Sequence, residues 1–336
     1  MTDRSPLIVI PCLNEEVFIG PLLRRLLDDP GLDDPLIVVA DGGSRDRTRA
    51  IVEAAAARDP RVRLLANPRK LQSAGVNLAV RLFGRERAWL LRVDAHAGYP
   101  EAYASALIAE ALATGAHAVA VPMETVGETG FQRACAVAQT TRLGTGGSPH
   151  RIQSGARWVD HGHHALFRIE DFVDAGGYDE SFSHNEDAEL DVRLTGAGAR
   201  IWLTDVVRVI YYPRATPAAL WRQYLNYGRG RARTVLKHNN KLRARQALPL
   251  AVAPAVLVAF ASPFWWPAAL PALAWAALCL TYGAALALTR RDGWALLSGP
   301  AAMIMHLAWS AGFWSQLLVL RITGGKGPGE MQAVRS

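Results

Sequence analysis

The sequence predicts an α/β protein with a mostly parallel sheet, followed by a C-terminal helical region that is apolar enough to enter a membrane. Two observations predict the sheet: short β-branched runs alternate with helical patterns, and their spacing is that of βαβ units. One observation predicts the membrane region. No Asp, Glu, Lys or Arg lies between Gln246 and Thr289, which is long enough for two spans of ~20 residues each.

The strand and helix patterns can be placed along the chain. Strands are expected at 7–11, 36–41, 62–66, 88–94 and 117–123, and helices at 16–28, 46–58, 72–84 and 101–114. They are followed by an expected flexible loop over 124–162, the segment HHALFR at 163–168, a turn at 176–180, a helix at 186–196 and strands near 200–212. Because ligands of such sheets bind beyond the carboxyl ends of the strands, the polar residues there are the candidate site.

The C-terminal third has the features of a membrane attachment. We predict an α/β domain over 1–215, a basic amphipathic interfacial helix over 216–245, two or three transmembrane helices over 246–322 and a flexible tail over 323–336. The basic residues before the first span favour a cytoplasmic α/β domain, as a multi-pass protein of the inner membrane. Buried core helices are the alternative interpretation of the apolar stretches.

Charge is divided unevenly along the chain. Residues 1–205 carry 22 basic and 28 acidic residues, a net charge of −6, whereas residues 206–336 carry 15 and 2, a net charge of +13. Basic residues beside apolar segments indicate anionic membrane lipids as partners and do not indicate nucleic acid. The three cysteines form no CxxC pair and are expected to be reduced, packed thiols. The N-terminus has no apolar run typical of a signal peptide.

Several motifs follow the predicted strands in order: PCLNEE (11–16), DGGSRD (41–46), RVDAHAGYP (92–100) and GHHALFR (162–168). With them, residues 6–233 resemble family 2 glycosyltransferases with the GT-A fold, and in particular bacterial exopolysaccharide enzymes of the succinoglycan-biosynthesis type. The resemblance implies a metal-dependent, inverting transfer of a sugar from a nucleotide-sugar donor, with UDP-glucose as the suggested donor. It implies a polyprenyl-linked sugar as the acceptor.

The resemblance also implies donor-binding residues: Pro11, Asn14, Glu15, Asp41, Lys70, Asp94, Arg229 and Arg231. Asp41 is similar to the family residue that accepts a hydrogen bond from the uracil N3–H, and arginines suit phosphate geometry. Structural alternatives exist for each group. They are a helix N-terminus for the first segment, a plain strand–turn–helix at Asp41, a solvated Lys70 and a membrane-orienting charge for the two arginines.

Asp94 and His96 lie where the family carries its DxD motif, and the resemblance implies that they hold Mn²⁺ or Mg²⁺. A carboxylate and an imidazole are acceptable ligands, and the nitrogen favours Mn²⁺. The cation would neutralise the charge that develops on the diphosphate. A hydrogen-bonding loop residue is the alternative for His96.

Glu186 and Asp187 resemble the family's ED motif at the start of a helix. Asp187 is expected to be the general base that deprotonates the acceptor hydroxyl, and Glu186 is expected to orient the site. Acidic residues that stabilise a helix N-terminus are the alternative.

Three further residues are expected on the acceptor side. His163 and His164 are expected to contact the acceptor or a phosphate, since no cysteine or ordered spacing completes a zinc site. Trp158 is a candidate sugar-stacking platform. A structural or core role is the alternative for all three.

Other functions remain open at this point. A polyprenyl-phosphate glycosyltransferase, whose acceptor is the lipid phosphate itself, shares the fold and the apolar tail. A membrane scaffold that has lost activity is a different class, against which Asp41, Asp94 and Asp187 argue. A dinucleotide-dependent oxidoreductase is disfavoured because no GxGxxG follows the first strand.

Overall fold

The computed structural model describes residues 5–152, 155–242 and 244–322, so the predicted tail at 323–336 lies outside the described residues. The chain forms two compact units. The first combines Met1–Glu124 with Gln153–Ile210, and the second combines Thr125–Ile152 with Tyr211–Ser336.

The described residues form ten strands. They are β1 Leu7–Cys12, β2 Leu36–Asp41, β3 Val62–Ala66, β4 Trp89–Arg92, β5 Ala118–Val121, β6 Met123–Thr125, β7 Arg157–Val159, β8 His163–Arg168, β9 Ile201–Leu203 and β10 Val209–Tyr211.

Thirteen α-helices also lie in the described part of the chain. They are α1 Ile19–Leu27, α2 Thr48–Arg58, α3 Gln72–Phe83, α4 Tyr103–Thr114, α5 Gly130–Gln139, α6 Arg142–Thr145, α7 Ile169–Asp174, α8 Glu186–Gly196, α9 Pro217–His238, α10 Ala244–Leu250, α11 Val252–Ala259, α12 Leu270–Arg290 and α13 Ser298–Ile322. Short 3₁₀ helices precede α12 and α13.

The first unit is built on an eight-stranded sheet with the strand order β3-β2-β1-β4-β8-β5-β9-β7. β1 pairs in parallel with β2 and β4, β2 pairs in parallel with β3, and β5 pairs in parallel with β9. β8 runs antiparallel to both β4 and β5, and β7 runs antiparallel to β9. The predicted α/β fold with a mostly parallel sheet is therefore confirmed, and the first five predicted strands are all present.

Apolar side chains cover both faces of the sheet. In β1, Ile8 and Ile10 belong to the core on one face, while Leu7 and Val9 belong to the core on the other. Successive side chains of a strand point to opposite faces, so a strand buried on both sides is a continuous apolar run. The polar residues are consequently concentrated where the strands end, and this places the candidate site there.

The prediction of a flexible loop over 124–162 is wrong in its first half, where the structure has α5 and α6. Thr129 and Gln132 form a capping box at the start of α5. Cys135 and Ala138 then pack into a small core with residues of α9 and α13. The Gly, Thr and Ser composition suggested a loop, but tertiary burial of an apolar helix face stabilises a helix.

The second unit contains two helices that are long and apolar enough to cross a membrane, Trp266–Arg290 and Gly293–Ile322. The preceding apolar segment, Gln246–Ala259, is shorter. Pro249 lies inside it, and because proline has no backbone N–H it interrupts the helical hydrogen bonds. The predicted basic helix is present as α9, and it approaches α13 closely: a Cβ added to Gly228 would lie 2.0 Å from the carbonyl oxygen of Trp309.

Candidate active site

The turn after β2 is organised by Asp41, the last residue of the strand, which is 1% exposed. Its carboxylate accepts the N–H groups of Gly43 and Ser44, both at 3.1 Å, and the Ser44 hydroxyl at 2.5 Å. The Arg49 guanidinium lies 3.3 Å away. Gly43 has φ +92°, a conformation that glycine adopts without steric cost. The carboxylate thus holds the backbone of the turn in one shape.

The loops after β1 and β2 are joined by side-chain hydrogen bonds. The Asn14 N–H donates to Ser44 Oγ at 2.9 Å, and the Arg45 N–H donates to Asn14 Oδ1 at 2.8 Å. The Glu15 N–H donates to Thr48 Oγ1 at 2.8 Å. Asn14 therefore bridges the two loops rather than capping a helix, and it lies next to the turn that Asp41 organises.

Pro11 and Lys70 flank this turn. Pro11 lies in β1 opposite Ala40 of β2. Lys70 is exposed and has φ +57°. Its Cα would lie 3.6 Å from a Cβ added to Gly42, so the Lys70 backbone passes directly over the turn. A phosphate contact by its ammonium group stays a prediction.

The loop after β4 contacts the loop after β1 through a histidine. His96 Nδ1 lies 2.9 Å from Glu15 Oε1, and the His96 side chain is 64% exposed. The ends of β1, β2 and β4 are adjacent in the sheet and are linked by this chain of contacts.

Asp94 lies just beyond β4, and its carboxylate has three neighbours. Gln72 Nε2 donates to Oδ1 at 3.2 Å, Arg92 Nη2 lies 3.7 Å from Oδ1, and His163 Nε2 lies 3.9 Å from Oδ2. Burial by itself raises the pKa of a carboxyl, but the charges of Arg92, His163 and His96 together hold the pKa of Asp94 below its usual value. Asp94 is therefore a carboxylate at neutral pH.

Glu186 and Asp187 form the first turn of α8. Arg92 Nη1 donates to both carboxylate oxygens of Asp187, at 2.9 and 3.0 Å, and the Tyr178 hydroxyl donates to Oδ1 at 2.8 Å. Glu186 Oε1 lies 3.8 Å from the same Arg92 nitrogen. Burial, followed by the charge of Asp187, raises the pKa of Glu186 to about 7. Asp94 and the adjacent pair Glu186 and Asp187, which lies about 90 positions further along the chain, thus surround one arginine.

The candidate acceptor residues are only partly brought together. His163 lies beside Asp94, whereas the side chain of His164 lies outside the described residues. Trp158 lies on the edge strand β7, four strands away from β4. The Arg200 guanidinium covers its ring at 3.7 Å and Trp202 packs against it edge-on at 5.0 Å. The structure does not bring Trp158 to the Asp94 cluster, and its stacking role stays a prediction.

Arg229 and Arg231 lie on α9 of the second unit, where Arg229 is exposed and Arg231 is half-buried. Because they lie outside the first unit, the geometry of the site there does not test their predicted contact with the nucleotide-sugar. That contact stays a prediction.

The side chains at the end of β4 fit a divalent cation that is bound by the protein on one side and by a diphosphate on the other. Asp94 supplies a partly exposed carboxylate, and the His96 ring is exposed with only Nδ1 on Glu15. Within the described residues, no group of three His, Cys, Asp or Glu side chains is arranged to hold a metal. A cation there would need phosphate oxygens and water to complete its shell, as Mg²⁺ commonly does in nucleotide sites.

Sequence reasoning missed Arg92, Tyr178 and Gln72 as site residues. One signal for Arg92 was present: it is a charged residue at the end of the apolar strand segment AWLLR. A charge in such a position is buried and needs a partner, which in this fold comes from α8. The cysteines behave as predicted, since all three are buried and free, and burial raises the pKa of Cys12 to about 12.

Comparison with known proteins gives two further findings on the sequence. Residues 7–174 match the model of glycosyl transferase family 2. The chain is also 52% identical over 321 residues to the succinoglycan biosynthesis protein ExoA of Rhizobium meliloti (strain 1021), which covers 96% of this chain and 97% of the relative.

Among solved structures, the mannosyltransferase PcManGT from Pyrobaculum calidifontis, in complex with GDP-Man and Mn²⁺, is similar with a TM-score of 0.55. The match covers 93% of this chain and 87% of that chain at 21% sequence identity. At this identity the likeness establishes the shared fold.

Proposed function

Because the chain belongs to glycosyl transferase family 2, has the GT-A fold and is a glycosyltransferase, we propose that it transfers a sugar from a nucleotide-sugar donor to a lipid-linked sugar in exopolysaccharide biosynthesis. The observation that carries the proposal is the meeting of Asp94 with Glu186 and Asp187 around Arg92, next to the linked loops after β1 and β2. Glu186 and Asp187 are acidic residues beside the carboxyl ends of parallel strands, where ligands of such sheets bind, and this arrangement is suited to glycosyl transfer.

The donor is a nucleoside diphosphate sugar, with UDP-glucose as the first candidate. The base and ribose would lie against the turn of Gly42 and Gly43, where Asn14 and Asp41 shape the backbone. The diphosphate would extend toward Asp94. The GDP-Man bound by PcManGT and the succinoglycan biosynthesis in the name of the 52% identical relative support this donor class.

The reaction is a single displacement that inverts the anomeric configuration. The acceptor hydroxyl oxygen forms a bond to the anomeric carbon as the bond from that carbon to the diphosphate oxygen breaks. The nucleoside diphosphate leaves with the electron pair of the broken bond, and the hydroxyl proton passes to the carboxylate of Asp187. Arg92 and Tyr178 fix that carboxylate through hydrogen bonds, so it meets the acceptor without reorienting.

Asp94 and His96 would hold Mn²⁺ or Mg²⁺, which supplies positive charge to the departing diphosphate. The Mn²⁺ in the PcManGT complex supports this cofactor class. Glu15, whose carboxylate contacts His96 Nδ1, would orient the imidazole so that Nε2 faces the cation.

The acceptor is a polyprenyl diphosphate that carries a sugar. The two helices long enough to cross a membrane, and the basic residues of α9, support a lipid acceptor and contacts with anionic lipids. The protein would then be a multi-pass protein of the inner membrane, with its first unit in the cytoplasm. Arg229 and Arg231 would bind phosphate groups of the donor or the lipid.

The test is to incubate purified protein in detergent with Mn²⁺, a panel of nucleotide-sugars and either a polyprenyl diphosphate sugar or a bare polyprenyl phosphate. Transfer to the lipid-linked sugar is expected with one donor, and transfer should stop with EDTA and return with Mn²⁺ or Mg²⁺. In Asp187→Asn, transfer is expected to fall by about 10²–10⁴-fold while nucleotide binding persists, because only proton transfer is impaired.

Each arm can contradict one part of the proposal. Transfer to the bare lipid phosphate alone would replace the acceptor, and undiminished turnover in EDTA would remove the cation. Wild-type turnover in Asp187→Asn would reject the general base. Absence of any transfer or nucleotide release from every donor would refute the proposed function.

A further inference from the structure

Arg92 is the last residue of β4 and is only 5% exposed. A guanidinium in such a position has lost its hydration, and removing an unpaired charge from water costs several kcal/mol. Carboxylates around it offset this cost, and their charges keep the pKa of Arg92 well above its ordinary value despite burial. Arg92 therefore stays a cation in the interior of the first unit.

The carboxylates come from two places far apart in the sequence. Arg92 Nη1 donates to Asp187 at 2.9 and 3.0 Å and lies 3.8 Å from Glu186, while Nη2 lies 3.7 Å from Asp94. The Arg92 guanidinium thus connects Asp94, the proposed metal ligand after β4, with Asp187, the proposed general base on α8. Without it, three acidic groups would lie close together with no buried positive charge among them, and they would repel one another.

The contacts with Asp187 are also directional. A guanidinium is planar and its N–H bonds have fixed directions, but both Asp187 oxygens share the single nitrogen Nη1, so Arg92 anchors the carboxylate at one point. The Tyr178 hydroxyl adds a bond at 2.8 Å. Tyr178 is itself held by Asn77, which accepts its N–H at 2.9 Å and donates to its carbonyl at 2.8 Å. The Asp187 carboxylate is therefore held by Arg92 of β4 and by Tyr178, whose backbone is bound by Asn77 of α3.

We propose that Arg92 is a positioning residue for glycosyl transfer, which fixes the Asp187 carboxylate at the acceptor hydroxyl and ties it to the donor side of the site through Asp94. The inference rests on the proposed function and deepens it. Arg92 need not touch the substrates, because it acts through the orientation of Asp187. Since a misplacement of ~1 Å at a reacting group costs about 10²-fold in rate, loss of this support should be costly.

The test is a double-mutant cycle on kcat, with Arg92→Met, Asp187→Asn and the double variant measured beside the wild type. Arg92→Met is expected to lower kcat by about 100-fold in the wild-type background. In the Asp187→Asn background it should lower the residual rate by less than about 3-fold, because the group through which it acts has already lost its function. Arg92→Lys, which keeps the charge but not the planar donor, should recover part of the rate.

Arg61→Met is the matched control. Arg61 directly precedes β3, at the opposite end of that strand from the site, and pairs with Asp59 at 2.7 Å while its side chain is 34% exposed, so its loss should leave kcat unchanged. If Arg92→Met does not fold, as judged by loss of a cooperative thermal unfolding transition, Arg92→Lys replaces it in the same cycle.

Two outcomes would overturn the inference while the proposed function stands: an unchanged kcat in the Arg92 variants, or an equal fold-loss in both backgrounds. The second outcome would mean that Arg92 supports the fold generally rather than acting through Asp187. A wild-type protein that transfers no sugar would instead refute the proposed function, before any variant is compared.

Discussion

At the scale of single residues, the candidate site is a set of side chains whose partners come from other segments of the chain. His96 contacts Glu15, Asp94 contacts Gln72, and Asp187 contacts Arg92. In each pair the partner fixes an orientation that the functional side chain would not keep alone. The sequence motifs predict at least one member of each pair as a site residue, and the fold brings the two members together.

Glu186 gives a prediction on stability against pH. Its pKa is raised from 4.5 to about 7 in the folded protein, so between these values the folded state holds a proton that the unfolded chain has released. The free energy of unfolding should therefore fall as the pH rises from about 4.5 through 7, on the order of 2–3 kcal/mol from this group.

Replacing Glu186 with glutamine removes its contribution to the pH dependence of the free energy of unfolding. Glu186→Gln should be as stable as the wild type near pH 4.5 and more stable at pH 8, as measured by thermal unfolding in detergent without nucleotide or divalent cations. Glu170→Gln, at an exposed position in α7, is the control and should follow the wild-type curve. A wild-type protein that gains stability relative to Glu186→Gln toward pH 8 would contradict the raised pKa.

At the scale of elements, short turns determine how the site segments meet. The turn after α7 contains Gly176 and Gly177, with φ +83° and +68°, and leads directly into Tyr178. A Cβ added to Gly177 would lie 2.6 Å from Asn77 Oδ1, the atom that accepts the Tyr178 N–H. This close approach explains why a residue without a side chain stands there.

Gly177→Ala tests this turn. It combines a positive φ with a steric conflict, and it is expected to lower the free energy of unfolding by about 1–3 kcal/mol and to reduce transfer through Tyr178 and Asp187. Gly196→Ala, at the end of α8, meets no atom within 4 Å and should be neutral or slightly stabilising. Equal urea denaturation midpoints for the two variants would show that the contact with Asn77 does not matter.

At the scale of the whole molecule, charge and apolar length divide the chain. The first 205 residues carry a net charge of −6 and the remainder +13. Trp266–Arg290 and Gly293–Ile322 are long and apolar enough to cross a membrane. Exposed aromatic residues precede the first of them, with Phe264 96% and Trp265 63% exposed, and such residues favour the membrane interface.

Membrane fractionation measures this property. Because burial of the two apolar helices in lipid would far outweigh surface charge contacts, the protein should stay in the membrane pellet after washes with 1 M salt and alkaline carbonate, and only detergent should release it. Release of the full chain by carbonate would exclude membrane spans.

The sequence by itself determined the α/β class, the strands up to β5 and the apolar C-terminal helices. It also placed Asp41 and Asp94 at strand ends and Asp187 at a helix start. These follow from local periodicity and from short motifs, which the order of residues contains directly. The sequence predicted secondary structure less well where tertiary burial decides whether a segment is a helix or a loop. The Gly, Thr and Ser residues of segment 124–162 indicate a loop, yet α5 forms there because Cys135 and Ala138 are buried.

Only the tertiary structure decided which groups meet. Arg92 and Asp187 are separated by 95 positions in the chain, and their contact depends on how α8 packs against the end of β4. Trp158 is close to His163 in sequence, but the strand order places β7 at the far edge of the sheet. Side-chain pairing depends on sheet order and helix packing, which are global properties of the folded chain, and for that reason no local pattern reveals them.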